Sequence, residues 1–331
     1  MIYPKITIIT PSFNQGEYIE QTIKSVLNQN YPNLEYIIID GGSTDGTIDI
    51  IKKYETKITY WISEKDNGQS HAINKGLKMA TGEIVNWLNS DDYYEEGALF
   101  KIANYFEKQK INVVCAKSRI FSDDKKIDFF SLGSDIYNNN LPKTIGWARM
   151  DQPETFFRKS AINRMGFLNE DLHYVMDKEW WIRYLLHFGS DNIVKTNEVI
   201  VNFRLHNNSK TVLQKDGFER ETNNLFYNLA DFFNLSIEKT ILSDLEEVKP
   251  ILYSSDYLQF DKNLILTSIH YYFLYKADEY YYNNKREKAK LLLKNINTSL
   301  INHSDLKLFQ KLNKRINIPV WLTKLLRRIN D

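Results

Sequence analysis

Four short apolar runs, each halted by a polar loop and each followed by residues at helical spacing, constrain this chain more than any other feature. They lie at 6–10, 36–40, 58–62 and 84–88. The second, Tyr36-Ile37-Ile38-Ile39-Asp40, is continuously apolar until its last residue, as suits a strand buried on both faces. After the first run, Ile19, Ile23, Val26 and Leu27 fall on one helical face. Further helices are expected at 47–54, near 70–80 and at 98–108. Strand, loop and helix in repeated alternation predict an α/β fold, a mostly parallel sheet with helices on both faces. Ligands of such sheets sit beyond the carboxyl ends of the strands. The loops that converge there are Pro11 to Asn14, Asp40, Glu64 to Gln69, and Asn89 to Asp92. Asp177, ahead of the helical stretch 180–186, and the segment Arg204 to Ser209, after the β-like 199–203, are expected on the same rim.

At 331 residues the chain exceeds what one core usually spans, so two domains are expected. Beyond about residue 211 strand signals fade, and leucines, tyrosines and lysines recur at helical spacings. The expected division is therefore 1–210 and a helical 211–331. The net charge of +1 hides an asymmetry: from Tyr281 onward there are 12 Lys or Arg against 3 Asp or Glu, leaving 31 against 39 before it. Val320, Trp321, Leu325 and Ile329 can share a helix face beside Lys324, Arg327 and Arg328. That pattern suits either peripheral contact with a membrane or a helix packed on its own domain. Nucleic acid is not an expected partner, because the aromatics of the basic tail sit at core spacings and no recognition motif accompanies them. The single cysteine, Cys115, lies in an apolar run and reads as a packed, reduced thiol. No stretch approaches the ~20 apolar residues of a membrane span, and residues 1–5 lack a signal-peptide profile, so a cytoplasmic location is expected.

Among the rim residues, Asp91 and Asp92 are suited to a hard divalent cation, which selects oxygen ligands; taken alone they serve equally well as a helix cap. Asp40 can form a turn or accept a hydrogen bond from a ligand, with Gly41 and Gly42 permitting close approach. His206 reads as a packed histidine or, with Arg204, as a contact to a diphosphate or metal.

Five motifs in register then carry a resemblance. Thr10-Pro11-Ser12-Phe13-Asn14, Asp40-Gly41-Gly42-Ser43-Thr44-Asp45-Gly46-Thr47, Asn74-Lys75-Gly76, Ala80-Thr81-Gly82-Glu83 and Leu88-Asn89-Ser90-Asp91-Asp92 occur in the order seen in glycosyltransferase family 2. The resemblance covers about residues 5–209. It implies a GT-A fold, with 1–210 as catalytic domain, an inverting single displacement, and Mn²⁺ or Mg²⁺ as cofactor. By the same resemblance Thr10, Pro11 and Asp40 form the nucleobase set with Phe13 near the base, and Asp66, Gly68 and Gln69 line the nucleotide-sugar pocket. Asp91 and Asp92 form the metal motif, with Asp92 the preferred direct ligand, and His206 is a further candidate. Asp177 resembles the catalytic base, while Arg204, His206 and Ser209 resemble a late loop that closes over the diphosphate. Three positions depart from the pattern: Asn89 stands for the first acid of the metal motif, Gly41 for the second acid of the common Asp-Asp-Gly-Ser form, and Ile73 for an arginine.

The expected reaction is sugar transfer from a nucleoside diphosphate sugar, with UDP as the preferred nucleotide, to a hydroxyl of a glycan or lipid-linked saccharide of a bacterial-type surface polysaccharide. Two rivals are weaker. A sugar nucleotidyltransferase needs a glycine-rich, basic loop after the first strand, and Thr10 to Gln15 is neither. A non-catalytic nucleotide-sugar or glycan-binding protein of the same fold would be marked by loss of the acids, yet Asp91, Asp92 and Asp177 are all present. Asp177 and Glu179 both lie where a base is expected, but two residues along a helix turn by about 200°, so they cannot face one pocket.

Overall fold

The computed structural model describes residues 3–318 except 108–109, 148, 208, 252–256 and 258. The expected tail helix through Val320, Trp321 and Ile329 lies outside the described residues. Described residues of Met1–Asp135 with Arg149–Phe218 make one compact unit, and those of Ile136–Ala148 with Glu219–Asp331 make a second.

In the first unit the chain runs β1 (Ile6–Ser12), α1 (Ile19–Leu27), β2 (Leu34–Asp40), α2 (Thr47–Lys53), β3 (Tyr60–Ser63), α3 (Gln69–Met79), β4 (Ile84–Trp87), β5 (Tyr93–Tyr94), α4 (Ala98–Phe106), β6 (Val113–Phe121) and β7 (Asp128–Phe130). After α5 (Leu141–Trp147), which belongs to the second unit, a single 3-10 turn at Gln152–Glu154 leads into β8 (Thr155–Arg158), α6 (Lys159–Met165), α7 (Met176–Phe188) and β9 (Ile193–Arg204).

The sheet order is β3-β2-β1-β4-β8-β6-β9-β5, with β7 added on β6. β3, β2, β1 and β4 are mutually parallel, as the alternation predicted. Their register aligns Ser12 with Asp40 and Asp40 with Ser63, so the loops after β1, β2 and β3 start from one rim. β8 is antiparallel to both of its neighbours, β4 and β6. Side chains alternate across the parallel strands. Ile6, Ile8, Tyr36, Ile38 and Ile84 pack with Ile19, Ile23 and Val26 of α1, Ile51 of α2, and Leu99 and Ile102 of α4. On the opposite face Trp87 meets Trp180 of α7 at 5.4 Å between rings, and α3 comes so close that a methyl on Gly76 would stand 2.4 Å from Ile9 Cγ2. The sheet is therefore covered on both faces. Cys115 is buried and unpaired, and burial pushes its thiol up to about 12.

The remaining described elements are helical: α8 (Lys210–Leu213), α9 (Lys215–Phe232), α10 (Ser236–Ser243), α11 (Lys262–Tyr282), α12 (Arg286–Asn295) and α13 (His303–Ile316). Within the second unit α11 buries Ile265, Ile269, Phe273 and Tyr280 and packs on α5, α12 and α13. Lys143 of α5 pairs with Asp305 of α13 at 2.7 Å. No described helix is long and apolar enough to cross a membrane.

Candidate active site at the carboxyl ends of the strands

The loops after β1 and β2 are laced together. Asn14 N donates to Ser43 Oγ (2.7 Å), Thr44 N to Asn14 Oδ1 (2.9 Å) and Gly16 N to Asp45 Oδ2 (2.9 Å). Asp40 has no exposed surface: its carboxylate accepts from Gly42 N, Ser43 N, Ser43 Oγ and Ser63 Oγ at 2.5–3.1 Å. Three of these donors go to Oδ2 and one, Ser43 Oγ, to Oδ1, so in this structure the buried carboxylate organises the turn. Thr10 is likewise buried, with Oγ1 3.2 Å from the Tyr36 hydroxyl, and Pro11 is buried beside it. Phe13 is different, with 59 % of its surface exposed. On the next loop the half-buried Asp66 accepts Gly68 N at Oδ1 (2.8 Å), and Gly68 caps α3 with a left-handed φ of 112°. Gln69, the first residue of α3, donates to Asn89 Oδ1 (3.0 Å) and accepts from Lys210 Nζ (3.1 Å).

At the end of β4 two adjacent aspartates diverge. Asp92 is 1 % exposed; its Oδ1 accepts Arg204 N at 2.9 Å, and its own carbonyl takes the Thr22 hydroxyl at 2.6 Å. Burial pushes its carboxyl well above the usual carboxylate range, and the charge of Asp91 adds to that. Asp91 instead reaches outward, with Oδ2 3.1 Å from His206 Nε2. The His206 ring lies 4.7 Å from that of Tyr18, and its backbone is fixed by reciprocal bonds with Ser209: His206 N to Ser209 Oγ at 3.0 Å, Ser209 N to His206 O at 2.9 Å. Ser209 is buried in that turn.

Arg204, expected over a diphosphate, is 6 % exposed and committed elsewhere. Its guanidinium bonds to Asp91 O (3.1 Å), to Gln21 Oε1 (2.6 Å) and to the Asp123 carboxylate, between the rings of Tyr18 and Phe121. The preference for Asp92 as direct ligand and for Arg204 as diphosphate contact thus meets a physical obstacle. Both side chains are spent inside the protein, holding the turn that presents Asp91.

α7 starts at Met176, which places Asp177 in its first turn, half-buried and bonded through Oδ1 to Lys178 N at 2.8 Å. Loss of hydration raises its carboxyl to about 6, reinforced by the charge of Asp151. Glu179 is 3 % exposed and forms a two-point pair with Arg183, whose other nitrogen bonds Met165 O (2.7 Å) and Phe167 O (2.8 Å). It is bound into the structure of α7. Next to this turn, Gln152 Nε2 donates to Asn86 Oδ1 (3.0 Å) and Trp87 O (2.7 Å), tying the 3-10 turn to the end of β4.

Among the described residues no three His, Cys, Asp or Glu gather as a metal cage. The donors that do meet, the Asp91 carboxylate and the His206 imidazole, fit an octahedral cation that takes one or two protein ligands and completes its shell from substrate phosphates and water. Lys210, Gln152 and Tyr18 escaped the sequence reading. Lys210 follows Ser209 directly and carried the signal of a cation in the late loop; Gln152 and Tyr18 carried none.

The sequence profile described as glycosyl transferase family 2 matches residues 7–184. The putative teichuronic acid biosynthesis glycosyltransferase TuaG of Bacillus subtilis is 44 % identical over 101 residues, 30 % of this chain and 40 % of that protein. The poly(ribitol-phosphate) beta-N-acetylglucosaminyltransferase TarP of Staphylococcus aureus is 32 % identical over 171 residues, 48 % of this chain and 50 % of that one. The chain thus spans about half the length of these relatives. A solved structure of S. aureus TarS 1-349 superposes with a TM-score of 0.58 at 17 % identity, covering 94 % of this chain and 90 % of that one. The same fragment in complex with UDP-GlcNAc gives 0.56 at 15 % identity over 94 % and 91 %. At this identity the likeness establishes the fold, which is GT-A.

Proposed function

We propose, for a chain that belongs to glycosyl transferase family 2, an inverting transfer from a UDP-sugar to a hydroxyl of a cell-envelope glycan or polyol phosphate polymer. The observation that carries this reading is the Asp91–His206 couple, offered at the end of β4 and held there by the buried Arg204 and Asp92. Asp91 and His206 would hold Mn²⁺ or Mg²⁺, with Asp92 in a supporting role. Bound there, the cation supplies charge neutralisation for a departing diphosphate. Lys210, linked to Gln69 and to His173 O, stands where it adds a second positive charge. The relatives' names support the acceptor class, since TuaG is named for teichuronic acid biosynthesis and TarP for poly(ribitol-phosphate).

Asp177 is proposed as the base. The acceptor oxygen forms a bond to the anomeric carbon as the bond from that carbon to the diphosphate oxygen breaks. The hydroxyl proton passes to Asp177, and the electron pair leaves with the nucleoside diphosphate. A carboxyl near 6 is ionised at neutral pH yet basic enough to take that proton. The 1–210 domain expected from the sequence is, on this reading, the catalytic one.

Titration calorimetry with UDP, with and without Mn²⁺, tests the proposal. Wild type should gain affinity with Mn²⁺, and Asp91→Asn should lose that gain because a neutral amide cannot replace the carboxylate's charge. An Asp91→Asn protein that keeps the full Mn²⁺-dependent gain would remove Asp91 from the metal site.

A further inference from the structure

Within the second unit α12 and α13 border a groove of about 430 Å³, a size that suits a short segment of a polymer. Its floor is apolar, with Leu293 and Ile316 buried and Phe309 half-buried. Its rim is polar and exposed: Lys290 and Lys294 on α12, Asn313 on α13 and Asn317 just beyond it. The two lysines are four residues apart, about 6 Å along the helix, so both ammonium groups stand on one side. The charge around this groove is lopsided. Residues 285–318 hold nine Lys or Arg against two Asp or Glu. Of the two acids, Asp305 is buried and spent on Lys143 at 2.7 Å. Glu287 meets Lys290 at 3.0 Å, but its side chain is 87 % exposed, a pairing that water screens and an incoming anion can displace. Lys285 and Lys288 are neutralised by Glu219 and Glu246, from outside the two helices. Lys294 has no carboxylate partner among the described residues.

Resting on the polymer-acceptor reading above, we infer that this groove is a second binding site for the acceptor, made by residues other than those that carry the transfer, and that its ligand is a polyol phosphate chain. Such a chain alternates phosphodiesters, which Lys290 and Lys294 attract, with hydroxyls, which the amides of Asn313 and Asn317 can bond. Its carbon backbone can lie on the apolar floor. Other occupants match the groove less fully. No large apolar side chain of α12 or α13 is exposed, so these helices offer a lipid surface no anchor beyond charge, and nucleobases no ring to stack on. Residues 319–331 bring Lys324, Arg327 and Arg328 against Asp331, the same sign as the rim, so charge does not favour the chain's own end there. A polymer held in the groove stays at high effective concentration between transfers. The site therefore acts on KM for the polymer and not on the chemical step.

The test uses the full chain and a ribitol phosphate oligomer, with binding read by calorimetry and transfer read as kcat and KM. Lys290→Gln with Lys294→Gln removes the charge of the groove. Lys307→Gln with Lys311→Gln removes the same charge at the same spacing from the other side of α13, since each lies two residues from Phe309, about 200° round the axis. The groove variant should bind the oligomer roughly tenfold more weakly, as two screened charge contacts allow, and raise its KM by a similar factor with kcat and UDP affinity unchanged. Lys290→Arg with Lys294→Arg should restore binding, and the α13 variant should stay near wild type. Equal weakening by both glutamine pairs would reduce the groove to diffuse charge, and wild-type affinity in the groove variant would remove it altogether; either result overturns the inference. So would a groove variant that loses binding to phosphatidylglycerol vesicles while holding the oligomer as before, the mark of a lipid surface. A wild type that binds no UDP brings down the functional proposal, whereas one that binds UDP and transfers sugar, but is indifferent to Lys290 and Lys294, brings down this inference alone.

Discussion

Asp91 and Asp92 are chemically identical neighbours, yet one reaches the His206 imidazole and the other is 1 % exposed. What separates them is Arg204, more than a hundred residues later, whose N–H claims the Asp92 carboxylate. Motif spacing found the pair but could not rank its members, because the ranking is set by a strand that joins only in three dimensions. The same holds for Asp40, whose four donors come from the loop after β2 and from Ser63 at the end of β3. For Asp177 and Glu179, by contrast, helical phase was enough to say that they diverge, and Arg183 shows where Glu179 goes. With Asp177 raised to about 6, the base is lost by protonation as pH falls through that value. The pH profile of kcat/KM should therefore drop about tenfold per unit below pH ~6, and Asp177→Asn should lose ~10²–10⁴-fold in kcat with donor affinity nearly unchanged. An acid limb that persists unchanged in Asp177→Asn, at wild-type kcat, would move the base elsewhere.

At the scale of elements, the four parallel strands and the helices after them were legible because a buried parallel strand is an uninterrupted apolar run and the helices between carry a 3.6-residue period. β8 was not, being four residues, Thr-Phe-Phe-Arg, too short for a periodic signal and with pairing that is entirely long-range. Nor were β5 and β7, of two and three residues. The start of β8 brings a group the sequence reading passed over. Glu154 has no exposed surface, bonds Ser131 Oγ at 2.8 Å, and is raised to about 8 by burial and by Asp151. The folded chain thus holds a proton at Glu154 that the unfolded chain has released between about pH 4.5 and 8. Its stabilising contribution is complete below that window and is lost as pH rises through it. Glu154→Gln, which keeps the shape of the neutral acid, should remove this dependence. In urea unfolding at about pH 6 and about pH 9, wild type should lose ~2–3 kcal/mol more than the variant across the interval. Parallel losses in the two proteins would mean that Glu154 is ionised in the fold.

For the whole molecule, the sequence suggested one cut at 210, where strand patterns give way to helical ones. The division instead alternates along the chain: residues 136–148 belong to the second unit, where α5 packs on α11 and Asn140, just before α5, donates through Nδ2 to the Tyr271 hydroxyl at 3.0 Å. A seven-residue helix containing Pro142 and Gly146 carries no periodic signal strong enough to betray such an excursion. The GT-A fold was legible because five motifs fell in one order, three of them at the carboxyl ends of β1, β2 and β4, one inside α3 and one leading into β4, so a single topology satisfied all of them. What the whole molecule does with that fold is best tested by stereochemistry. The full chain with Mn²⁺ and a panel of α-linked UDP-sugars, followed by proton NMR as water takes the place of the acceptor, should release the free sugar first as its β-anomer, with UDP. First appearance of the α-anomer would contradict an inverting displacement.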